Sequence, residues 1–181
     1  MHKLKSWIQR LISPNAKVRS GRASREAARV DPVLGPLVED PKLAGCLIAT
    51  IPLHGRSVPL RIDPDGPDLE TSLAIARTVA KTLEVLEEEA SAIAADHLLE
   101  RYNSDWRSVY ETNGDGTYRE VDGPLLTKTE FQQTIGLASA SVTGAMVQFC
   151  FNDADLFGGH SIFVQSFDGL PIKDADVSLF G

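Results

Sequence analysis

The sequence predicts an α+β fold in which an antiparallel β-sheet packs one face against a long helix, with a basic helical arm at the N-terminus. One observation is the helical spacing of apolar residues, which continues through residues 68–101. A second is that β-rich segments precede and follow this helix, and short turns separate the last of them. Because parallel strands need long crossover connections, short turns between consecutive strands indicate antiparallel pairing.

The composition bounds the class of protein. The chain has 181 residues, of which 43% are hydrophobic and 24% are charged. These values are typical of one globular domain with an appendage, and they exclude a wholly disordered chain. No apolar run reaches the roughly 18 residues of a transmembrane helix. Two cysteines, Cys46 and Cys150, are too few for a disulfide scaffold or a cysteine-rich zinc site. We therefore expect a soluble, cytoplasmic protein.

Positive charge is concentrated at the N-terminus. Residues 1–29 contain eight basic residues and one acidic residue, a net charge of +7, whereas the other residues contain 10 basic and 24 acidic residues, a net charge of −14. Three roles are open for the arm's first 12 residues: capping the core of the body, contacting a membrane surface, or binding another protein. Five apolar residues share one face of the amphipathic helix predicted there: Leu4, Trp7, Ile8, Leu11 and Ile12.

A proline-rich stretch follows this amphipathic segment. Residues 13–42 contain Pro14, Pro32, Pro36 and Pro41, a density that prevents a long helix. We interpret the stretch as a linker or a wrapped arm. The predicted organisation is therefore an arm over residues 1–42 and a single α+β domain over residues 43–181.

The body is predicted to begin with a β-hairpin. Residues 46–53 are rich in β-formers, residues 58–62 alternate between apolar and other side chains, and residues 54–57 make a turn of hairpin length. Pro52 and Pro59 lack the N–H group that a ladder needs, which predicts edge positions for both strands.

The long helix is predicted over residues 68–101. Asp68 is the expected N-cap. About thirty residues would extend roughly 45–50 Å, which is long for a domain of this size, so we expect a kink or break near Ser91. We interpret the run of Glu87, Glu88 and Glu89 as a solvated face of this helix.

A short helix and four strands are predicted in the C-terminal part. Residues 102–106 close the long helix, and Thr127 and Glu130 have the spacing of a capping box for a short helix that ends at Gly136. The strands are expected over residues 138–142, 146–151, 161–166 and 176–180, as an antiparallel meander.

One stretch has part of the pattern of a calcium-binding loop. Between Glu111 and Asp122, oxygen-bearing residues occupy loop positions 1, 3, 5 and 12, and Gly116 occupies position 6. An EF-hand loop instead begins with Asp, ends with a bidentate Glu and lies between two helices. We therefore predict a turn here and no metal site.

The segment from Asn152 to His160 is the strongest candidate for a site. It contains Asp153, Asp155 and His160, whose carboxylates and imidazole suit metal binding or acid–base catalysis. The same residue types are also expected in a loop between two apolar strands, because Asn, Asp and Gly favour turns. We favour a structural interpretation, in which a carboxylate accepts backbone N–H groups and His160 is hydrogen-bonded within the loop.

Familiar catalytic motifs are absent from the sequence. There is no Gly-x-Ser-x-Gly nucleophile elbow, no Walker loop, no dinucleotide-binding glycine motif and no His-Glu-x-x-His. We therefore expect no cofactor. The body is also strongly acidic, so nucleic-acid binding would require the basic arm.

Two segments together resemble a bacterial protein family. They are Tyr102-Asn103-x-x-Trp106, after the long helix, and Asp153-x-Asp155-Leu-Phe-x-Gly159-His160, between the last strands. Over roughly residues 44–181 this arrangement is similar to the uncharacterised family called domain of unknown function 2262. The resemblance implies the α+β architecture and supplies no catalytic residue, because the family has no established activity. The binding or structural candidates are Asp153, Asp155, Gly159, His160, Asn103 and Trp106.

Two classes of function follow from these observations. In the first, the body is a protein-binding or regulatory module without catalysis, and its negative charge attracts a basic partner. In the second, it is a metal-dependent or acid–base enzyme in which the loop of Asp153, Asp155 and His160 meets distant groups such as His97 or Asp105. We favour the first class, because no catalytic motif supports the second. The sequence leaves the identity of the partner and the oligomeric state open.

Overall fold

The computed structural model describes residues 29–66 and 68–181. Its main element is an eight-stranded sheet with the order β1-β2-β3-β4-β7-β8-β9-β10, and β5 and β6 form a separate hairpin. The amphipathic helix expected over residues 1–12 lies outside the described residues. The strands are β1 (Arg29–Asp31), β2 (Gly35–Glu39), β3 (Leu47–Leu53), β4 (Arg56–Asp63), β5 (Ser108–Thr112), β6 (Tyr118–Asp122), β7 (Gly136–Thr143), β8 (Met146–Asn152), β9 (Ser161–Ser166) and β10 (Asp176–Phe180).

Three α-helices lie in the connection from β4 to β7. They are α1 (Leu69–Lys81), α2 (Leu83–Arg101) and α3 (Lys128–Thr134), and a π-helical turn, Tyr102–Trp106, extends α2. No helix within the described part of the chain is long and apolar enough to cross a membrane.

The sheet is dominated by antiparallel pairs, as predicted, but it contains one parallel pair. Strands β1 to β4 pair antiparallel in sequence order. Strands β7 to β10 do the same, which confirms the predicted C-terminal meander. Between these two halves, β4 runs parallel to β7, with Leu60 opposite Ala140. The prediction of an antiparallel sheet is wrong at this pair, because the helical connection from β4 to β7 is a crossover that returns the chain in the same direction.

Residues 29–39 fall within the predicted arm, yet they form β1 and β2 at one edge of the sheet. Leu34 and Leu37 are buried in the core. The buried carboxylate of Asp31 accepts the N–H group of Leu34 at 3.0 Å and pairs with Arg77 of α1 at 2.8 Å. The hydrogen bond from the Arg77 guanidinium lowers the pKa of Asp31 to about 2. These contacts make residues 29–39 part of the body.

Pro52 and Pro59 lie in internal strands, so the prediction of edge strands is wrong. Strand β3 lies between β2 and β4, and β4 lies between β3 and β7. However, β2 pairs with β3 only at Leu47 and Ile48, and β7 pairs with β4 only from Leu60 onward. Each proline therefore occupies a stretch of its strand that has a neighbour on one side only, which a residue without an N–H group tolerates.

The predicted long helix is two helices, and the break lies at Thr82 instead of near Ser91. Ser91 is inside α2, where its hydroxyl donates to the carbonyl of Glu88 at 2.9 Å. The hydroxyl of Thr82 donates to the carbonyl of Thr78 at 2.9 Å, and its φ of −120° is not helical. Hydroxyl groups that bond to the preceding turn bend helices, and the β-branched side chain restricts the backbone further.

Both predicted helix caps are confirmed. The carboxylate of Asp68 accepts the N–H group of Thr71 at 3.0 Å at the start of α1. At the start of α3, the N–H group of Glu130 donates to the hydroxyl of Thr127 at 3.3 Å. The Glu130 carboxylate in turn accepts the N–H group of Thr127 at 2.8 Å, which completes the capping box.

The helices pack on one face of the sheet and leave the other face uncovered by the described elements. Helix α1 contacts β4 and β7, α2 contacts β9 and β10, and α3 packs on α2. Alternate residues of the strands point into this core, such as Val58, Leu60 and Ile62 of β4. The opposite face of the sheet carries polar pairs such as Gln148 and Gln165, which are hydrogen-bonded at 2.7 Å.

Candidate functional site

The first of the two segments noted in the sequence, Tyr102–Trp106, forms the π-helical turn at the end of α2. We call it the first motif segment. The N–H group of Arg107 donates to the carbonyl of Tyr102 at 3.1 Å, which is the five-residue spacing of a π-helix. The sequence predicted only that these residues close the helix, because propensity carries no signal for this wider turn. The turn places Tyr102 and Trp106 on the side of the helix that faces the β8–β9 loop.

The side chain of Asn103 in the same turn hydrogen-bonds to backbone groups. Its side-chain N–H donates to the carbonyl of Leu126 at 2.9 Å, and its side-chain carbonyl accepts the N–H group of Leu126 at 2.9 Å. The guanidinium of Arg107 adds a hydrogen bond to the carbonyl of Gly123 at 3.2 Å. This pair of side chains fixes the segment that leads into α3.

The second motif segment is a loop organised around the carboxylate of Asp153. This side chain is buried, with 4% of the residue exposed. It accepts the N–H groups of Asp155 at 3.1 Å, Phe157 at 2.9 Å and Gly159 at 3.1 Å. Asp155 and Gly159 have φ angles of 66° and 84°, which turn the chain around the carboxylate. The side chain of Asp155 itself is exposed. Asp153 is therefore a structural anchor.

His160 ends this loop with a half-buried ring. Its Nδ1 hydrogen-bonds to the carbonyl of Phe157. Because a carbonyl oxygen only accepts, Nδ1 carries the proton in this arrangement. The ring lies edge to face with Trp106, with 5.6 Å between centroids. Gly181 closes the other side, since a methyl group added there would lie 2.6 Å from the Cδ2 atom of His160.

Phe157 is the centre of an aromatic cluster that joins the two motif segments. It is fully buried, and its ring centroid lies 5.5 Å from that of Trp106, 6.1 Å from that of Tyr102 and 6.2 Å from that of Phe131 of α3. All three contacts are edge to face, the geometry that aromatic pairs prefer. We call this set of four rings the aromatic cluster.

A model of the family described as "uncharacterized protein conserved in bacteria" matches residues 31–177, which is most of the chain. The chain belongs to the DUF2262 family. Both motif segments lie inside the matched region, which begins at Asp31 and so includes β2 and the last residue of β1. No curated protein and no solved structure matches this DUF2262 chain.

Three of the candidate residues of this DUF2262 protein lie in one packed unit. Trp106, Asp153 and His160 come together, as described above, whereas His97 and Asp105 are exposed. Neither of these two forms a hydrogen bond or ion pair with His160 within the described residues. Also within residues 29–66 and 68–181, no three His, Cys, Asp or Glu side chains are placed to hold a metal ion.

A groove of about 610 Å³ lies elsewhere on the DUF2262 body, between the start of α2, α3 and the ends of the strands. We call it the α2 groove. Its apolar lining consists of the buried Ile135 and Phe151 and the exposed Val85, of which 65% is accessible. Its acidic lining consists of Glu84, Glu87 and Glu88. The groove therefore combines one exposed apolar residue, Val85, with a negatively charged rim.

The three acidic residues of the α2 groove differ in their pairing. Glu87 is half-buried and pairs with Arg56 at 2.5 Å and with the imidazole of His54 at 3.2 Å. Glu84 and Glu88 are exposed, and neither forms an ion pair with another residue of the described chain. Their charges therefore face solvent at the rim of the groove.

No local pattern in the sequence predicts this groove. The interpretation of Glu87, Glu88 and Glu89 as a solvated face holds for the exposed Glu88, whereas Glu87 and Glu89 are half-buried and Glu87 is paired. The lining comes from the β3–β4 turn, α2, α3 and β8, which are far apart in sequence. The nearest signal in the sequence is Val85, an apolar residue that lies among the acidic residues of the first turns of α2.

Proposed function

We propose that this DUF2262 protein is a cytoplasmic protein-binding module whose α2 groove takes a basic, amphipathic segment of a partner. The observation that carries the proposal is the position of an exposed apolar residue, Val85, beside unpaired carboxylates in one groove. A helix whose apolar face enters a groove while its charged flanks meet the rim is a common mode of peptide recognition.

The charges of the groove favour a cationic ligand. Glu84 and Glu88 lie within one turn of each other on α2, so both reach the same side of a bound segment. The body as a whole is acidic, with a net charge of −14 outside residues 1–29, and this field accelerates encounter with a basic partner. The ion pair of Glu87 with Arg56 leaves the rim carboxylates as the groups that select the partner's charge.

Val85 supplies the part of the affinity that salt does not weaken. It is 65% exposed and projects from α2, whereas Ile135 and Phe151 are only 6% and 1% exposed. A leucine or isoleucine side chain packed against Val85 removes apolar surface of both molecules from water. The rim alone would give weak, salt-sensitive binding, because exposed ion pairs contribute little.

The hydrogen bonds of the β8–β9 loop favour the binding proposal over catalysis by Asp153. The Asp153 carboxylate is occupied by three backbone N–H groups, and the Nδ1 atom of His160 is occupied by a carbonyl. A general acid or base must reach the substrate within hydrogen-bond distance. A reaction that used the Asp153 carboxylate would have to break the bonds that shape the loop.

The binding proposal is tested with the full chain and a fluorescein-labelled amphipathic peptide that has a leucine face and a lysine face. Fluorescence anisotropy measures the affinity of this peptide for the wild type and for Glu84→Lys/Glu88→Lys. We expect the double variant to bind at least about tenfold more weakly, because two attractive contacts become repulsive. The charge-neutral Glu84→Gln/Glu88→Gln should give an intermediate affinity.

The matched control is Glu100→Lys/Glu120→Lys, which makes the same change in net charge at exposed sites away from the groove. This control separates the groove from the general field of the body. If it weakens binding as much as the groove variant does, the peptide recognises net charge and the proposal of a specific groove is wrong. A second peptide with glutamate in place of lysine should not bind.

A further inference from the structure

We propose that the open face of the sheet holds a second binding site, which takes a small carboxylate with a planar apolar body. The site is a hollow of about 390 Å³, which we call the sheet hollow. It shares no residue with the α2 groove, so the inference is independent of the proposed function. Six side chains on the face opposite the helices line it: Arg61 of β4, Ser139 and Ser141 of β7, Gln148 and Cys150 of β8, and Phe163 of β9.

The register of the sheet explains why a hollow forms at this position. Arg61 is directly opposite Ser141 in the parallel pair of β4 and β7. In the next row, Ser139 is paired with Cys150, and Cys150 is paired with Phe163. Three short side chains on β7 and β8 therefore lie between the long side chains of Arg61 and Phe163. The floor of the hollow is low because serine and cysteine side chains are short.

The hydroxyl of Ser141 opens into the sheet hollow. Ser141 is only 7% exposed, and its hydroxyl forms no hydrogen bond with any described residue. Within the described part of the chain, however, every side-chain N or O atom that is fully buried has a hydrogen-bond partner. The Oγ atom of Ser141 is therefore reached from the hollow, which is where its lining places it. A polar group this enclosed is satisfied best by an acceptor that enters the hollow.

Arg61 supplies a positive charge that has no partner among the described residues. Its side chain is exposed, and it forms no ion pair or hydrogen bond within residues 29–66 and 68–181. Every other arginine in that part of the chain pairs with a carboxylate or, in the case of Arg101, lies over the ring of Trp106. Asp63, two residues further along β4, instead accepts the N–H group of Asp65 at 3.1 Å. The guanidinium of Arg61 is therefore available to an anion in the hollow.

These groups favour a carboxylate over other anions. A guanidinium binds a carboxylate through two parallel hydrogen bonds, and the hydroxyls of Ser139 and Ser141 donate to the same group. A single cation suits a monoanion better than a dianionic phosphate, because the second charge would be repelled by Asp63 and by the acidic body.

Phe163 favours a ligand whose body is planar and apolar. Its ring is half-buried and lies edge to face with the ring of Phe180, with 6.0 Å between the centroids. A ligand ring that packs on Phe163 removes apolar surface of both molecules from water. The volume of the hollow lies near the lower end of the range of about 300–1,000 Å³ for small-molecule sites, which favours a ligand with one ring.

The test uses the full chain and benzoate as the probe. Titration of the isotope-labelled protein, followed by NMR at the backbone amides of Ser139, Ser141 and Phe163, gives both the place of binding and the dissociation constant. We expect saturable shifts at these amides in the wild type. Binding should be at least about tenfold weaker in Arg61→Gln and several-fold weaker in Ser141→Ala, because each variant removes a donor to the carboxylate. The matched control is Arg119→Gln, which makes the same change in net charge at a side chain that is 63% exposed and outside the hollow, and it should leave the affinity unchanged.

Neutral and dianionic relatives of benzoate test the choice of ligand. Benzamide should bind at least about tenfold more weakly than benzoate, because it lacks the charge that Arg61 recognises. Equal binding of the two would overturn the inference, and so would the absence of saturable shifts at these amides in up to about 10 mM benzoate. Tighter binding of phenyl phosphate than of benzoate would show that the hollow selects a phosphate, which also overturns it. Arg61→Gln should bind the leucine–lysine peptide as the wild type does, so failure of this inference leaves the proposed function standing.

Discussion

The indole ring of Trp106 meets the phenyl ring of Phe157 edge to face, with 5.5 Å between their centroids. Trp106 belongs to the π-helical turn and Phe157 belongs to the β8–β9 loop, so the contact joins the two motif segments. His160 extends the same arrangement on the other side of the indole. The two motif segments therefore form one packed unit.

Truncation of the central ring should destabilise this unit strongly. Phe157→Ala removes the fully buried ring of the aromatic cluster, and we expect it to lower the free energy of unfolding by about 3–5 kcal/mol. Urea denaturation measures the change. Phe167→Ala is the matched control, because Phe167 is 62% exposed and its truncation should change stability by less than about 0.5 kcal/mol. Similar losses in the two variants would contradict the central role of Phe157.

The two carboxylates of the β8–β9 loop should differ sharply when neutralised. Asp153→Asn replaces one acceptor oxygen by a donor amide that faces backbone N–H groups, and we expect a loss of about 2–3 kcal/mol or more. Asp155→Asn should cost little, because that side chain is exposed and Asn tolerates the left-handed backbone. Thermal denaturation compares the two. Equal shifts in melting temperature would show that Asp153 does not anchor the loop.

Replacement of His160 should reveal a structural role. His160→Ala removes the hydrogen bond to the carbonyl of Phe157 and the contact with Trp106, and we expect a loss of about 1–3 kcal/mol in unfolding free energy. Chemical denaturation gives the value, and isothermal titration with the leucine–lysine peptide checks function. Binding should persist in the folded variant. A fully stable variant that fails to bind would move His160 from structure to function.

Stability should fall at low pH through Asp31. The pKa of this carboxyl is about 2 in the folded protein against an ordinary value of 3.8, so folding favours its charged form. The contribution of Asp31 to the free energy of unfolding is complete at pH values above 3.8 and is lost as the pH falls through about 2. The full loss amounts to about 2 kcal/mol. Urea denaturation at about pH 6 and about pH 2 should show the advantage of the wild type over Asp31→Asn shrinking by this amount.

Removal of the partner provides the control for the Asp31 prediction. In Arg77→Met, the guanidinium that lowers the pKa of Asp31 is absent, so the same dependence on acid should largely disappear. If the stability difference between the wild type and Asp31→Asn is the same at the two pH values, this ion pair does not link folding to the protonation of Asp31.

Local elements of the fold were predictable because their determinants lie within a few residues. The caps at Asp68 and Thr127 are set by side chains that reach backbone groups in the next turn. The β3–β4 hairpin turns at His54 and Gly55, whose φ angles of 47° and 77° match a two-residue hairpin turn. In the same way, alternation of apolar residues was sufficient to identify the C-terminal meander.

Features that depend on distant parts of the chain were not predictable in this way. The position of the helix break depends on whether a hydroxyl bonds to the preceding turn, and both Thr82 and Ser91 are placed to do so. The α2 groove likewise exists only after four separate segments are assembled, so no linear pattern marks its lining.

Assembly of the sheet depends on the parallel pairing of β4 with β7. Within each antiparallel half, neighbouring strands are joined by short connections that close rapidly. The pairing of Leu60 with Ala140 instead closes a loop that contains α1, α2 and α3. Because the entropy of closing a long loop is lost before its contacts form, this step is slower than formation of the hairpins. We expect docking of the two preformed halves to limit the folding rate.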